Sequence, residues 1–192
     1  NAEAVERKFL SNKLSKEGFI VTMVAGFREQ KDQDTLIKAL TNLPKSIKLV
    51  LVGDGIRRKE CEQLAEREGV KERVFFLGIR NDVANILKSS DAVVMSSHWE
   101  GFGLAAVEGM AAGKPVVASN VQGLADIVKG AGLLFSHGDE KELAKIILQL
   151  KENKQYAEEV ANACYERTKK YDIKKTVNKL IQVYNSVLSK NA

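Results

Sequence analysis

The sequence predicts an α/β domain in which a parallel sheet of about six strands is covered by helices on both faces. Two observations lead to this prediction. Short apolar runs rich in β-branched residues recur along the chain without polar alternation, as expected of parallel strands that are buried on both sides. Each run is followed by a glycine or polar loop and then by apolar residues at helical spacing.

The strands are predicted where apolar runs end at glycine or polar residues. In chain order they cover 19–25, 47–52, 74–77, 91–95, 116–119 and 131–135. In folds of this class, ligands bind beyond the carboxyl ends of the strands. The candidate binding loops are therefore 26–31, 53–56, 78–82, 96–103 and 119–123.

The helices are predicted from apolar residues three or four positions apart and from end signals. Asp32 or Asp34 can cap the first helix, and Asn81 or Asp82 the third, while Gly69 can end the second. The predicted helices are 32–40, 57–68, 81–87, 104–112, 124–128, 140–150, 154–169 and 173–189.

Composition is typical of one folded domain. The 192 residues are 44% hydrophobic and 29% charged, which suffices for a core. No apolar run approaches the roughly 18 residues of a membrane span. Cys61 and Cys164 lack metal-type spacing and are expected to be free thiols. With two histidines and no cysteine cluster, a structural zinc site is not expected.

The chain is organised around residues 96–117, where a glycine-broken turn leads into a short helix. The helix begins near Leu104, because Gly101 and Gly103 precede it, and Gly113 and Pro115 stop it. Its first backbone N–H groups and the positive end of its dipole suit a phosphate. The best donors are the amides of residues 102–104, those of Phe102, Gly103 and Leu104.

Two carboxylates flank this anion site. Glu100 precedes the glycines, and Glu108 follows Leu104 by one turn, about 6 Å along the helix axis. Helical side chains lean toward the N-terminus, so the Glu108 carboxylate returns toward the loop. Amides for a diphosphate, with a carboxylate on each side for hydroxyl groups, match a nucleotide sugar.

The stretch from Glu100 to Val117 resembles the signature of retaining glycosyltransferases of family 4, in which seven residues separate two glutamates. Leu-Val-Gly-Asp-Gly at 51–55 and Phe-Leu-Gly-Ile-Arg-Asn-Asp-Val at 76–83 also resemble the family, and the resemblance covers roughly 19–171. It implies a Rossmann-like domain that forms the C-terminal, donor-binding half of a GT-B glycosyltransferase.

The resemblance also implies roles for individual residues. Glu108 is expected to bind the ribose hydroxyls, and Glu100 to contact the donor sugar near the carbon at which transfer occurs. Gly78, Ile79 and Arg80 correspond to the loop that meets the nucleobase, largely through its main chain.

Cations in the loop after the first strand can neutralise the leaving diphosphate. The family usually has an arginine directly after this strand and a lysine five residues on. Lys31 fits the lysine, whereas Gly26 occupies the arginine position and Arg28 lies two residues later. Asp54 follows the second strand and is expected to approach the phosphates or to make a turn. His98 is expected to touch the sugar or leaving group, or to pack under the loop.

The resemblance implies hexose transfer from a nucleotide diphosphate sugar, with retention, to a polysaccharide or lipid-linked glycan. No metal or other cofactor is expected. Residues 1–17 would link to a missing N-terminal domain that binds the acceptor, without which this fragment would be inactive. Residues 18–170 would form the nucleotide-sugar domain. Residues 171–192 would form a helix that packs back on that domain or on the missing half.

The net charge of +5 suggests where the protein works. We expect a cytoplasmic protein, or one held peripherally at the inner face of the membrane by anionic lipid headgroups. No aromatics interleave with the C-terminal lysines, so nucleic acid is not an expected partner. These lysines are Lys169, Lys170, Lys174, Lys175 and Lys179.

One rival interpretation is weak and two others stay open. Residues 101–106 fit the dinucleotide fingerprint Gly-x-Gly-x-x-Ala, but five residues separate them from the strand. The acid expected at the end of the next strand is replaced by Ser119 and Asn120, so a dehydrogenase is weakly supported. The others are a nucleotide-sugar epimerase of the same fold and a non-catalytic nucleotide-binding or assembly module.

Overall fold

A computed structural model of the chain describes residues 18–190 and contains one parallel sheet. Its strands pair in the order β3-β2-β1-β4-β5-β6, and the predicted fold class is confirmed. The strands are β1 (Phe19–Val24), β2 (Ile47–Val52), β3 (Val74–Gly78), β4 (Ala92–Met95), β5 (Val116–Ser119) and β6 (Leu133–Phe135). The predicted linker, residues 1–17, lies outside the described residues.

The helices follow the strands in the predicted alternation. They are α1 (Gln33–Ala39), α2 (Arg58–Arg67), α3 (Val83–Lys88), α4 (Leu104–Ala111), α5 (Leu124–Val128), α6 (Glu140–Glu152), α7 (Lys154–Thr168) and α8 (Ile173–Lys190). The largest boundary differences are two residues: α3 begins and β6 begins two residues later than predicted, and α6 ends two residues later. The amides of Ala131 and Gly132 instead donate to the carbonyl of Val128 and so close α5.

Helices cover both faces of the sheet, as predicted. On one face, α1, α2 and α6 pack against strand residues such as Met23 and Leu49. On the other face, α3, α4, α5 and α7 pack against residues such as Val93 and Met95. Because both faces are buried, the strands are apolar on both sides, which explains their continuous hydrophobic runs.

Both cysteines are free and fully buried, as predicted. Burial among apolar groups disfavours the charged thiolate, with the nearby Asp34 carboxylate adding to the effect, and raises the pKa of Cys61 to about 12. Burial likewise raises the pKa of Cys164. Both thiols are therefore protonated at neutral pH and belong to the core.

The C-terminal helix α8 exposes its apolar side chains. One expected position was against the sheet domain, and the structure does not show that packing. The other, against an N-terminal half, stays a prediction. Among the helices within residues 18–190, none combines the length and apolarity needed to cross a lipid bilayer. The exposed side chains are Ile173, Val177, Leu180, Ile181, Val183, Tyr184, Val187 and Leu188.

Candidate functional site

The strand order creates a crevice at the carboxyl ends of β1 and β4. β1 lies between β2 and β4, so the chain moves outward through the sheet in opposite directions on its two sides. In open α/β sheets, such a switch point is where ligands bind. The β1 loop (residues 25–32) and the β4 loop (residues 96–103) border this crevice.

Hydrogen bonds fasten the β1 loop to the β4 loop. The backbone N–H of His98 donates to the Gln30 carbonyl at 2.8 Å, and the Gln30 side-chain amide donates to the Trp99 carbonyl at 2.9 Å. The buried hydroxyl of Ser96 donates to the carbonyl of Asp32 at 2.7 Å. The two loops therefore hold their side chains in a fixed relation. Ser96 could not be predicted as a site residue from the sequence, because its contacts lie 64 and 65 residues away along the chain.

This arrangement joins two of the predicted catalytic residues. Lys31 Nζ lies 2.5 Å from Glu100 Oε1, and the Ser97 hydroxyl donates to the same oxygen at 3.0 Å. The side chains of Lys31 and Glu100 are only 19% and 10% exposed, so water screens the pair less than it screens a surface ion pair. Glu100 Oε2 accepts no hydrogen bond from residues 18–190 and remains available to a ligand.

Gly123 packs closely against the backbone of Glu100. A Cβ atom added at Gly123 would lie 2.0 Å from the Glu100 carbonyl oxygen and 2.8 Å from its carbonyl carbon. Gly123 also has a φ of +85°, which residues with a side chain rarely adopt. Only glycine therefore permits the close approach that sets the position of Glu100. The sequence predicted this residue only as part of loop 119–123, since the contact crosses between neighbouring strands.

The glycine-rich loop presents an uncapped helix N-terminus. Gly103 adopts a left-handed conformation, with φ 78° and ψ 46°, immediately before α4, and no side chain caps that end. The first amides of α4 therefore have no intrahelical acceptor. Gly101 and Phe102 are exposed, as is the Leu104 side chain, and the Phe102 ring packs edge-on against Tyr171 at 5.6 Å. That these amides bind an anion stays a prediction.

Glu108 lies on the exposed side of α4. It lines a cavity of about 260 Å³ between α3 and α4, together with Val83, Leu87 and Lys88. Among residues 18–190 no side chain or amide donates to its carboxylate, so this group is open to a ligand. The close packing of α4 is confirmed, because Gly109 faces Val93 and leaves no room for a Cβ.

A second cavity, of about 480 Å³, opens between the loops that follow β1 and β2. Arg28 and Lys31 both line it, so the structure brings the two predicted cations to one cleft. Asp54 lines the same cleft but makes a turn. Its carboxylate accepts from the Gly55 amide at 2.7 Å and from Arg58 Nη1 at 3.2 Å.

The loop after β3 contains the residues expected to meet the base. Gly78 has a φ of +68° and its carbonyl accepts from the Gly53 amide at 2.8 Å, while the Ile79 side chain is exposed. Arg80 donates two hydrogen bonds of 2.8 Å to Asp82, and this pairing lowers the pKa of the Asp82 carboxyl. The prediction that the Asp82 side chain can cap α3 is wrong, because that carboxylate is engaged by Arg80.

His98 lies two residues before Glu100 in the β4 loop. Its Nδ1 contacts Nε2 of His137, a loop residue after β6 to which the sequence analysis gave no role. His137 Nε2 also lies 3.9 Å from Asp32 Oδ2. Asp32 caps α1, as predicted, by accepting from the Thr35 amide at 3.3 Å. The structure thus joins three polar side chains from three separate loops.

Residues 5–171 match the model of the family described as glycosyl transferases group 1. The chain belongs to this family. It is 28% identical over 183 residues to the N-acetyl-alpha-D-glucosaminyl L-malate synthase of Bacillus anthracis, a match covering 91% of the chain and 47% of that protein. It is 29% identical over 194 residues to the Escherichia coli UDP-Gal:alpha-D-GlcNAc-diphosphoundecaprenol alpha-1,3-galactosyltransferase, covering 95% and 50%.

A solved structure has the same fold. The structure of Anabaena Alr3699/HepE in complex with UDP-glucose superimposes with a TM-score of 0.89 at 30% identity, covering 95% of this chain and 53% of that chain. The GT-B assignment is confirmed by such neighbours. This chain spans about half the length of the curated group 1 relatives that it matches over most of its own length.

In this group 1 transferase domain, the predicted site residues fall into three places. Lys31 and Glu100 are in direct contact, and Arg28 shares a cavity with Lys31. Glu108 lines a separate cavity between α3 and α4, and the β3 loop is a third place. What each residue binds stays a prediction.

Proposed function

We propose that the chain is the donor-binding half of a retaining glycosyltransferase of family 4 and that it binds a UDP-sugar. The observation that carries the proposal is the Lys31–Glu100 pair beside the uncapped N-terminus of α4, with Glu108 open on the same helix. The sequence did not favour one base. Uridine is chosen because the similar Anabaena structures contain UDP, UDP-glucose, or UDP and glucose.

The diphosphate is assigned to the region around the β1 loop and the start of α4. The amides of residues 102–104 have no intrahelical acceptor, and the helix dipole favours negative charge there. Lys31 supplies a cation from the adjoining loop, and Arg28 supplies a second one from the same cavity. When a diphosphate is bound here, the Lys31 ammonium contacts both the phosphate oxygens and the Glu100 carboxylate.

The remaining parts of the donor extend in two directions from the diphosphate. Glu108 accepts hydrogen bonds from the ribose hydroxyls, and the main chain of residues 78–80 meets the base. Glu100, through its free Oε2, accepts from a hydroxyl of the sugar, with His98 at the same end. Asp54 does not contact the diphosphate with its carboxylate. The turn that this carboxylate stabilises shapes the phosphate side of the cleft.

Transfer breaks the bond between the anomeric carbon and the diphosphate oxygen, and the bonding electrons stay on that oxygen. The acceptor hydroxyl oxygen forms its bond to the same face of the sugar, and its proton passes to the departing phosphate. Lys31 and the α4 amides stabilise the charge that develops on the leaving group. No metal ion is assigned to this step, because protein cations and amides supply the positive charge.

The acceptor is assigned to an N-terminal domain beyond this chain, and the product is a polysaccharide or a lipid-linked glycan. The named substrate of the Escherichia coli relative, a diphosphoundecaprenol-linked sugar, supports a lipid-linked acceptor. The exposed apolar face of α8 suits contact with that domain. The neighbouring lysines suit peripheral contact with anionic lipid at the cytoplasmic face.

Retention and the need for a second domain are tested together. The full-length protein, given a UDP-hexose and a glycan acceptor, is expected to form an α-linked product from an α-linked donor, as read by the anomeric signal in proton NMR. The 192-residue chain alone is expected to form none. A β-linked product would contradict retention. Transfer by the isolated chain would contradict the need for a second, acceptor-binding domain. Isomerised donor in the absence of acceptor would identify an epimerase instead.

A further inference from the structure

Three side chains at the edge of the proposed donor site form a cluster with metal-ligand chemistry. Asp32, His98 and His137 each offer one ligand atom, and these atoms all lie within 4.8 Å of one another. The residues come from the end of the β1 loop, the β4 loop and the segment after β6. Their separation in sequence, 66 and 39 residues, explains why no spacing motif predicts them.

The donor atoms suit a zinc site, although the two contacting ring nitrogens must move apart to admit an ion. Zn²⁺ binds imidazole nitrogen and carboxylate oxygen at about 2.0–2.2 Å, which places neighbouring ligand atoms roughly 3.4 Å apart. Asp32 Oδ2 and His137 Nε2 are 3.9 Å apart, and His137 Nε2 is in direct contact with His98 Nδ1. The His98 and His137 rings meet edge-on at 61°, with centroids 4.4 Å apart, and both are exposed, so a rotation of either ring can separate the nitrogens and admit an ion.

Asp32 is held in place for such a role. It is buried, with 7% exposure, and its carboxylate accepts from the amide and the hydroxyl of Thr35. Among the described non-glycine residues, it is the one with a positive φ, of 49°. The carboxylate of a metal ligand is commonly oriented by such hydrogen bonds. The two histidines, by contrast, are exposed, so an ion can reach the site from solvent.

We propose that Asp32, His98 and His137 bind one Zn²⁺ ion, with water completing the coordination. Two imidazoles favour zinc over Mg²⁺ or Ca²⁺, which prefer oxygen ligands. Asp32 follows Lys31 directly and His98 precedes Glu100 by two residues, so the ion fastens both loops that carry the Lys31–Glu100 pair. Its role is structural, and it is distinct from the transfer step. Coordination through Nδ1 leaves the other ring nitrogen of His98 available to the donor sugar.

The test is a calorimetric titration of the tag-free, metal-stripped 192-residue chain with ZnCl₂, together with CoCl₂ titrations followed by visible absorption. The variants are His137→Ala and Asp32→Asn. Asparagine tolerates the left-handed conformation and still caps a helix, so Asp32→Asn removes the charge but keeps the local structure. Asp126→Asn, a loss of an exposed carboxylate elsewhere, is the matched control. The buried thiols do not compete for the ion.

The expected result is one saturable Zn²⁺ site and a Co²⁺ spectrum typical of tetrahedral coordination. Each of the two variants should weaken Zn²⁺ binding by at least about 10-fold, whereas Asp126→Asn should not. ZnCl₂ should also raise the melting temperature of the wild-type chain and not that of His137→Ala. Absence of saturable binding, or the same affinity in His137→Ala, would overturn the proposal. UDP titration of the same samples judges the donor site separately.

Discussion

Replacing Gly123 with alanine is expected to destabilise the domain and to displace Glu100. The new Cβ would lie 2.0 Å from the Glu100 carbonyl oxygen, far inside contact distance, and the residue would have to keep a φ of +85°. Backbone strain and overpacking together cost roughly 2–5 kcal/mol. For a chain of this size we expect the melting temperature to fall by on the order of 10 °C.

A second glycine separates the two costs. Gly69 has a φ of +68° at the end of α2, but no atom lies within 4 Å of the position of its missing Cβ. Gly69→Ala therefore carries the backbone cost without the clash and should cost on the order of 1 kcal/mol. Differential scanning calorimetry of both variants measures the difference. If Gly123→Ala proved no more destabilising than Gly69→Ala, Gly123 would have no part in positioning Glu100.

Replacing Lys31 with methionine is expected to weaken UDP binding by this chain and to suppress transfer by the full-length enzyme. Methionine has about the same length but lacks the cation that contacts Glu100 and lines the diphosphate cavity. Loss of one charge-assisted hydrogen bond should weaken UDP binding about 10- to 100-fold. Loss of a leaving-group contact that strengthens during reaction should lower kcat by on the order of 10²- to 10³-fold.

Two comparisons make the Lys31 result specific. Lys38→Met removes an exposed lysine from α1 and should change neither the UDP affinity nor kcat. Because Lys31 and Glu100 are paired, Glu100→Gln should lower kcat by a smaller factor in the Lys31→Met background than in the wild type. Equal kcat values for Lys31→Met and Lys38→Met would contradict the assignment of Lys31 to the leaving group.

The fold was predictable because its signals are local. Apolar runs such as 49–52 and 92–95 are continuous, since both faces of the sheet are covered, and glycines or polar residues end them. The helix after Gly103 was predictable for the same reason, because the glycines, the small residues and the Pro115 stop lie within one short stretch. Glu100 and Glu108 were predicted from this stretch and from the resemblance, and Lys31 from its place after the first strand and from the resemblance.

What the sequence did not show depends on which loops become neighbours. His137 contacts His98 because the segment after β6 extends past β5 to the β4 loop. Gly123 packs against Glu100 because β5 lies beside β4. Strand order, not spacing, creates both contacts. The Asp82 cap failed for a different reason, since Arg80, two residues away, competes for the same carboxylate.

The most direct test of the donor site is calorimetric titration of the 192-residue chain with UDP, UMP, GDP and ADP, with Glu108→Ala as the comparison. The account predicts one UDP site, with UMP binding more weakly because it lacks the phosphate that meets Lys31 and the α4 amides. Glu108→Ala should cost about 1.5–3 kcal/mol of UDP binding, through lost hydrogen bonds to ribose. Equal affinity for UDP and UMP, or a UDP affinity that Glu108→Ala leaves unchanged, would contradict the proposed site.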